Sequence, residues 1–220
     1  MPDALGIAGF TALMALVATL AALPPAVVLG WVLARKPFAG RSVVETLCTL
    51  PLVMPPVATG LLLLRLFGRR SPIGQTLDAA GLEIIFTWKA VVLAMAVMSL
   101  PLILLTAKAG FQQVNPRFEA MAASLGAGPV RVFFRVSLPL ASRSIIAAAL
   151  LGFARALGEF GATIMVAGGI PGQTETLSVA IYRLTEIGRE DDATALMLLS
   201  IALAFIAMLA SNHVLRRQTA

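Results

Sequence analysis

Residues 115–139 read NPRFEAMAASLGAGPVRVFFRVSLP and lie between two apolar segments that are each long enough to cross a membrane. The stretch itself contains Arg117, Glu119, Arg131 and Arg135. Ionisable side chains are costly inside a bilayer, so we expect the whole stretch to lie in water on one side of the membrane. Apolar spans on either side of one charged loop predict an all-α integral membrane protein.

Local signals at both ends of the first half of this stretch predict a short helix. Asn115 suits the N-cap, and Pro116 suits the first helical position, where its missing N–H is not needed. Glu119 falls in the first turn, where the helix dipole favours a carboxylate. Gly126 supplies the left-handed residue that commonly ends a helix, which leaves a helix of about 10 residues, roughly 15 Å long.

One face of this helix is apolar, because Phe118, Met121, Ala122 and Leu125 recur at the i, i+3, i+4 and i+7 positions. An isolated helix of this length is marginal in water unless its apolar face packs against something. Two interpretations follow: the helix lies on its own membrane domain, or it enters a groove in a soluble partner.

The composition supports a membrane protein. Of the 220 residues only 13% are charged, and the mean hydropathy is +0.91. We expect one membrane domain over residues 1–220, with the charged loop at about 109–143. The net charge of +6 comes from clusters in particular loops, which indicates membrane topology rather than nucleic-acid binding. Cys48 is the only cysteine, so no intrachain disulfide can form.

Five apolar segments are long enough to cross the bilayer. They cover residues 5–34, 46–64, 90–107, 144–166 and 194–214. Lys and Arg cluster after the first, third and fifth segments. The positive-inside rule then puts the N-terminus outside, and the C-terminus and the charged loop in the cytoplasm. Residues 177–184 are too short and too polar to span, and they predict a short interfacial helix.

Prolines interrupt two of these segments. Pro24 and Pro25 are expected to kink or break the first. Pro51, Pro55 and Pro56 interrupt the second, where the freed backbone carbonyls need neighbours or a water-lined cavity. This pattern fits a translocation pathway and also fits a simple kink, so Pro55 and Pro56 are candidate pathway residues.

The fourth segment combines small residues with two charges. Ala148, Gly152 and Ala156 recur every four residues, a spacing that lets helices approach closely. Arg155 and Glu159 are also four apart, so they share a helix face. They are either a self-neutralising structural pair or groups that face a subunit interface or pathway and change partners during gating.

Because the sequence lacks certain motifs, several kinds of chemistry are excluded. There is no G-x-x-x-x-G-K-[ST] phosphate-binding loop, so we expect no ATP site in this chain. His213 is the only histidine, which leaves no basis for a metal site or a histidine-based catalytic set. We therefore expect no catalytic residues, metal or cofactor in this chain, and a transport role rather than an enzymatic one.

The charged loop resembles the EAA loop of ABC importer permeases. The residues that carry the resemblance are Glu119, Ala120, Ala122, Gly126, Leu138 and Pro139. Met121 stands where that family usually has Ala, and Val136 where it usually has Ile, and both residues keep the apolar character. The resemblance implies a type I ABC importer fold, in which this loop forms a coupling helix that docks into an ATPase subunit.

Further stretches resemble the permeases of the molybdate, tungstate and sulfate branch. They are FAGR at residues 38–41 with LPLVMPP at 50–56, FARALGEFGATI at 153–164, and IPGQTET at 170–176. The resemblance implies molybdate import, with tungstate or sulfate/thiosulfate as alternatives. The candidate pathway or gating residues in these stretches are Pro55, Pro56, Arg155, Glu159, Phe160 and Thr163.

The same resemblance implies the partners. Two copies of the chain would form the pathway in a bacterial inner membrane. Two ATPase subunits would bind ATP and magnesium and receive the coupling helices, and a periplasmic oxyanion-binding protein would deliver the substrate. Two other function classes are weighed against this one. An ATPase-independent secondary transporter or channel is disfavoured because no inverted repeat or proton relay is evident, and the other class is a membrane-bound enzyme or scaffold.

Overall fold

The computed structural model describes residues 4–217, with side chains described through residue 209. All regular structure in this part of the chain is helical. The elements are α1 (Ala4–Arg35), α2 (Arg41–Val53), α3 (Pro56–Phe67), α4 (Pro72–Ala79), α5 (Trp88–Gln113), α6 (Pro116–Ser124), α7 (Pro129–Val132), a π-helical turn (Phe133–Ser137), α8 (Leu138–Leu140), α9 (Ser142–Leu157), α10 (Gly161–Ala167), α11 (Leu177–Glu186) and α12 (Glu190–Arg217).

Three helices, α1, α5 and α12, are each long and apolar enough to cross a membrane. Two bent pairs of helices give up to two further crossings if each pair is counted as one span. They are α2 with α3, bent by 115°, and the α7–α8 segment with α9, bent by 75°. By length and composition the described residues thus hold three to five candidate crossings, a number that agrees with the five apolar segments of the sequence. The bounds of the fourth differ, because its bent pair covers residues 129–157 rather than 144–166 and includes the second half of the stretch that was expected to lie in water. Residues 1–3 and 218–220, which include both termini, lie outside the described residues.

The first span is not broken at its prolines, which were expected to kink or break it. Helix α1 continues through both Pro24 and Pro25 to Arg35. Ala22 and Ala26 are buried on the face that packs with α5, so the prolines lie in the middle of an extensive helix contact. A membrane helix tolerates proline when its neighbours hold the surrounding backbone in place, and that packing accounts for the unbroken helix.

Helix α9 packs closely against α1 and α5. Ala148, Gly152 and Ala156 are all buried there, which confirms the predicted close approach. A side-chain carbon on Gly152 would lie 2.5 Å from the Cγ1 atom of Ile103 on α5, closer than carbon atoms pack. The small residues therefore set how near the helices can come.

The two ends of the bundle are made by different helices. Helix α6 lies beside the last turn of α1 and the end of α5. At the opposite end, Ile7 and Ala8 of α1 pack with Leu177 and Leu184 of α11. This agrees with the prediction that the charged loop and the first residues of α1 lie on opposite sides of the membrane.

Helix α11 is packed into the end of the bundle. Its residues Leu177, Val179, Ala180 and Leu184 are buried in the bundle. Its entry is fixed by the hydroxyl of Thr11 on α1, which accepts a 2.9 Å hydrogen bond from the backbone N–H of Leu177. The helix is short, as predicted, but it is a packed part of the bundle.

Candidate functional site

The predicted short helix forms with the predicted ends. Helix α6 covers Pro116–Ser124, and the side chain of Asn115 accepts a 3.0 Å hydrogen bond from the backbone N–H of Arg117. Gly126 has φ +83°, the left-handed conformation that its position predicted. The N–H of Ala127 then donates to the carbonyl of Ala122, which satisfies one of the carbonyls left free at the helix end.

The apolar stripe of α6 points away from the rest of the chain. Phe118, Met121 and Leu125 are 53%, 62% and 88% exposed, and we call these three residues the exposed α6 face. Ala122 beside them is half-buried. Within the described residues this face therefore does not pack on its own membrane domain, which favours the second interpretation, a groove in a partner.

The opposite side of α6 is held by charge. Glu119 accepts a 3.0 Å hydrogen bond from Nε of Arg35 and a 2.7 Å hydrogen bond from the hydroxyl of Ser137. Nη2 of Arg35 also donates to the backbone carbonyl of Val114 at 2.7 Å. The side chains of Arg35 and Glu119 are only 12% and 16% exposed. The predicted Glu119 is thus anchored inside its own chain.

The two partners of Glu119 were not among the predicted site residues. Arg35 was assigned only as a topology charge after the first span, and Ser137 lies in an apolar run with no motif of its own. A signal for Arg35 does exist in the sequence, since it closes a long apolar helix at the same membrane side as the charged loop. Nothing in the sequence indicates Ser137 before the π-helical turn is known.

The π-helical turn Phe133–Ser137 supports this anchor. Its first residue, Phe133, is buried, with its ring centroid 5.1 Å from that of Trp31 and 6.2 Å from that of Phe111. Its last residue, Ser137, is buried against Glu119. Single π-helical turns are often found at functional sites. Of the remaining predicted loop residues, Leu138 is half-buried, whereas Ala120 and Pro139 are exposed.

A second ion pair ties the first bent span to the same end of the bundle. Lys108 near the end of α5 pairs with Glu45 on α2. Helix α2 contains no fully buried residue, so this contact is an important attachment for it. At the α6 end the bent span is held by this ion pair and by packing of Cys48 against the core, and at its far half by packing of α3.

The two breaks in the spans meet each other. Helix α3 begins at Pro56, with Pro55 as its N-cap, and helix α10 begins at Gly161. A side-chain carbon on Gly161 would lie 2.8 Å from Cβ of Pro56. One turn on, a side-chain carbon on Gly60 would lie 2.7 Å from Cβ of Met165. The starts of the two half-helices are therefore in direct contact.

Arg155 and Glu159 pair with each other, with Nη1 and Oε2 2.7 Å apart. The fourth predicted span is interrupted here, because α9 ends at Leu157 and Glu159 lies in the break before α10. The other oxygen of Glu159 accepts a 2.9 Å hydrogen bond from the backbone N–H of Ala162. This carboxylate is 1% exposed and caps α10 as well as neutralising Arg155.

The remaining pathway candidates flank this break. The Phe160 ring lies 5.2 Å from the ring of Tyr182 on α11, centroid to centroid. Thr163 is fully buried in the first turn of α10, and Thr59 is buried in the first turn of α3. The hydroxyls of both threonines make no hydrogen bond with the described residues. The structure thus places Pro55, Pro56, Glu159, Phe160 and Thr163 around the two breaks, while Arg155 reaches them through Glu159.

The chain places a short helix with an exposed apolar face at one end of a bundle that contains broken spans, and its sequence matches a known family. Residues 26–219 match the family described as "Binding-protein-dependent transport system inner membrane component". The chain belongs to this family. As a member of it, the chain is a transport component and a multi-pass membrane protein.

Individual relatives and solved structures agree with this membership. The chain is 44% identical over 201 residues to the molybdenum transport system permease protein ModB of Escherichia coli, covering 90% of this chain and 88% of the relative. It is 41% identical over 197 residues to ModB of Haemophilus influenzae, covering 89% and 86%. Its fold resembles a bacterial ABC transporter involved in alginate import, with TM-score 0.76 at 20% identity, over 100% of this chain and 82% of that one. The type I ABC importer permease fold is therefore confirmed.

Proposed function

We propose that this chain is the permease subunit of an ATP-driven importer that carries molybdate across a bacterial inner membrane. The observation that carries the importer assignment is the exposed α6 face, an apolar helix surface that the described part of its own chain leaves uncovered. The substrate assignment is supported by the two relatives, both of which are named molybdenum transport permeases.

The proposed assembly contains two copies of this chain and two separate ATPase subunits. Each ATPase would bind ATP and magnesium and receive one α6 helix in a groove. Phe118 and the rest of the exposed α6 face would supply the buried apolar contacts, because a helix that binds in a groove lays its apolar face into it. This chain would need no cofactor of its own.

A periplasmic oxyanion-binding protein would deliver molybdate to the side opposite α6. The family description names binding-protein dependence, which supports a partner of this kind. Substrate choice would then rest mainly on the delivery protein, and this chain would provide the route. The carboxylate of Glu159 would not favour the passage of an anion, but its charge is neutralised by Arg155.

The route would open and close by alternating access. Closure of the ATPases would move the two α6 helices together, and the attached spans would follow as rigid bodies. The contact between Pro56 and Gly161 lies where two spans are broken. Prolines and interruptions of the helix ladder are where helices change direction, so this contact is the proposed gate.

Uptake in cells tests the proposal directly. Labelled molybdate at nanomolar concentration is given to cells that lack this chain, with and without the chain restored, and tungstate and sulfate serve as competitors. Return of uptake that tungstate blocks and sulfate does not would support molybdate import. Uptake blocked by sulfate would assign sulfate or thiosulfate instead. Uptake that persists when the ATPase is deleted would indicate a secondary transporter.

A further inference from the structure

We propose that Arg35 is the positioning residue that makes α6 move together with the transmembrane bundle. The inference rests on the proposed function, since it concerns how motion at α6 reaches the spans. Arg35 is the last residue of α1, and α1 runs the full height of the bundle. The guanidinium group of Arg35 therefore lies where one long rigid helix meets the short helix that would receive the ATPase.

The covalent connection between α5 and α6 is short and does little to fix the orientation of α6. Helix α5 ends at Gln113 and α6 begins at Pro116, so only Val114 and Asn115 join them. Both linking residues have extended backbone angles outside either helix. Such a link fixes where α6 starts, but it allows the helix to pivot. A second attachment is needed to transmit a force in a defined direction.

Arg35 supplies that attachment across the link. Its Nη2 donates to the carbonyl of Val114, the C-cap of α5 and the first residue of the link, and its Nε donates to Glu119 beyond the link. One planar guanidinium group thus holds the end of α5 and the first turn of α6 at a fixed angle. A lysine at the same position has a single ammonium group and lacks the fork that serves two acceptors in fixed geometry.

Glu119 passes the connection to a third segment. Its carboxylate also accepts from the hydroxyl of Ser137 at the end of the π-helical turn. Ser137 is fully buried, and the chain enters α9 a few residues later. Glu119 therefore links α6 to the start of the fourth span, while Arg35 links it to the first. Both ties are largely shielded from water, where charged hydrogen bonds are strongest.

The test uses the reconstituted complex of this chain with its ATPase and binding protein, in which ATP hydrolysis and labelled molybdate uptake are measured on the same vesicles. For Arg35→Gln we expect ATP hydrolysis within about twofold of the unaltered complex. Uptake per ATP should fall at least about tenfold, because α6 would no longer be held at a fixed angle to α1 when the ATPase moves it. Arg35→Lys should fall between the two.

Lys36→Gln is the matched control. It removes the same charge one residue later, from an exposed side chain whose ammonium lies 5.7 Å from the ring of Trp31. Uptake per ATP should stay unchanged in this variant. The combined exchange Arg35→Glu with Glu119→Arg should recover part of the loss, because it restores the ion pair, though not the contacts to Ser137 and Val114.

Each outcome decides one of the two proposals. No ATP-driven uptake by the unaltered complex would refute the proposed function. Coupled uptake by the unaltered complex and equally coupled uptake by Arg35→Gln would refute the role of Arg35 alone. If Arg35→Gln does not assemble, Arg35→Lys decides: uptake per ATP equal to that of the unaltered complex overturns the inference, and a reduced ratio supports it.

Discussion

Gly161 touches Pro56 so closely that a side-chain carbon at position 161 would lie 2.8 Å from the proline Cβ atom and 3.1 Å from the backbone nitrogen of Val57. The two residues begin the second halves of two broken helices, α3 and α10. The breaks are therefore not independent kinks. They form one contact at which two spans of the bundle are held together.

This contact predicts that Gly161→Ala destabilises the protein. An added methyl group must push α3 away, and overpacking of this kind costs about 1–3 kcal/mol. We expect a lower midpoint of thermal unfolding in detergent and slower uptake. Gly158→Ala is the control, because the space around Gly158 is open and its φ is −89°. Equal midpoints for the two variants would show that the contact is loose.

The exposed α6 face predicts a specific loss of ATPase binding. Met121→Asp places a charge at the centre of the face, and we expect binding of the ATPase to weaken at least tenfold, or about 1.4 kcal/mol, with normal insertion of the chain in membranes. Co-purification of the ATPase with the tagged chain measures this.

Ser124→Asp serves as the control for this prediction, since it adds the same charge to an exposed residue of α6 outside the apolar stripe. Retention of the ATPase by Met121→Asp, or an equal loss in both variants, would argue against docking through this face.

Gly126 predicts a purely conformational effect. At φ +83° the Cβ of Gly126→Leu would have nothing within 4 Å, so the expected cost is that of a left-handed backbone, about 1–2 kcal/mol. The end of α6 should shift, and uptake per ATP should fall. Gly128→Leu is an unusually close match, because that site is equally open and has φ −67°. Normal uptake per ATP in Gly126→Leu would show that the end of α6 has no role in docking.

Glu159 predicts different costs for two substitutions. Glu159→Gln keeps an acceptor for the N–H of Ala162 but loses the charge that pairs with Arg155. Glu159→Ala loses both and leaves the Ala162 N–H unpaired, a further cost of about 1–3 kcal/mol. Thermal unfolding should therefore rank the unaltered protein, Gln and Ala in falling order. An equal midpoint for Gln and Ala would mean that the cap contributes nothing.

The cap also changes how an exchange of the two charges must be interpreted. Placing Arg at 159 and Glu at 155 restores the ion pair but puts no acceptor at the start of α10. Loss of uptake in the exchanged protein would follow from the missing cap alone. The Gln variant, with its uptake measured beside its stability, separates gating from structure more cleanly.

Sequence patterns predicted the local features of α6 well, because each is decided within a few residues. Asn115 caps the helix, Pro116 starts it, and Gly126 ends it through its own backbone freedom. The five apolar segments could also be predicted from the sequence, since the length of a span and the position of its flanking charges are local properties.

Contacts between distant segments could not be predicted from the sequence in this way. Arg35 and Glu119 are 84 residues apart, and no spacing rule relates them. The outcome at Pro24 and Pro25 depended on helix packing around them, whereas the break before Gly161 depended on Glu159 capping a new helix. Of the kink or break expected at Pro24 and Pro25, a break does not occur, and proline content gave no signal for the break in the fourth segment.

The exposed α6 face also has a consequence for the chain before it is assembled. A copy that has no ATPase keeps Phe118, Met121 and Leu125 in water, and exposed apolar patches promote aggregation and attract cellular quality control. Surplus copies should therefore be degraded faster than assembled ones. The amount of this protein in a cell would then follow the supply of its ATPase, so that the chain's own surface keeps the two subunits in balance.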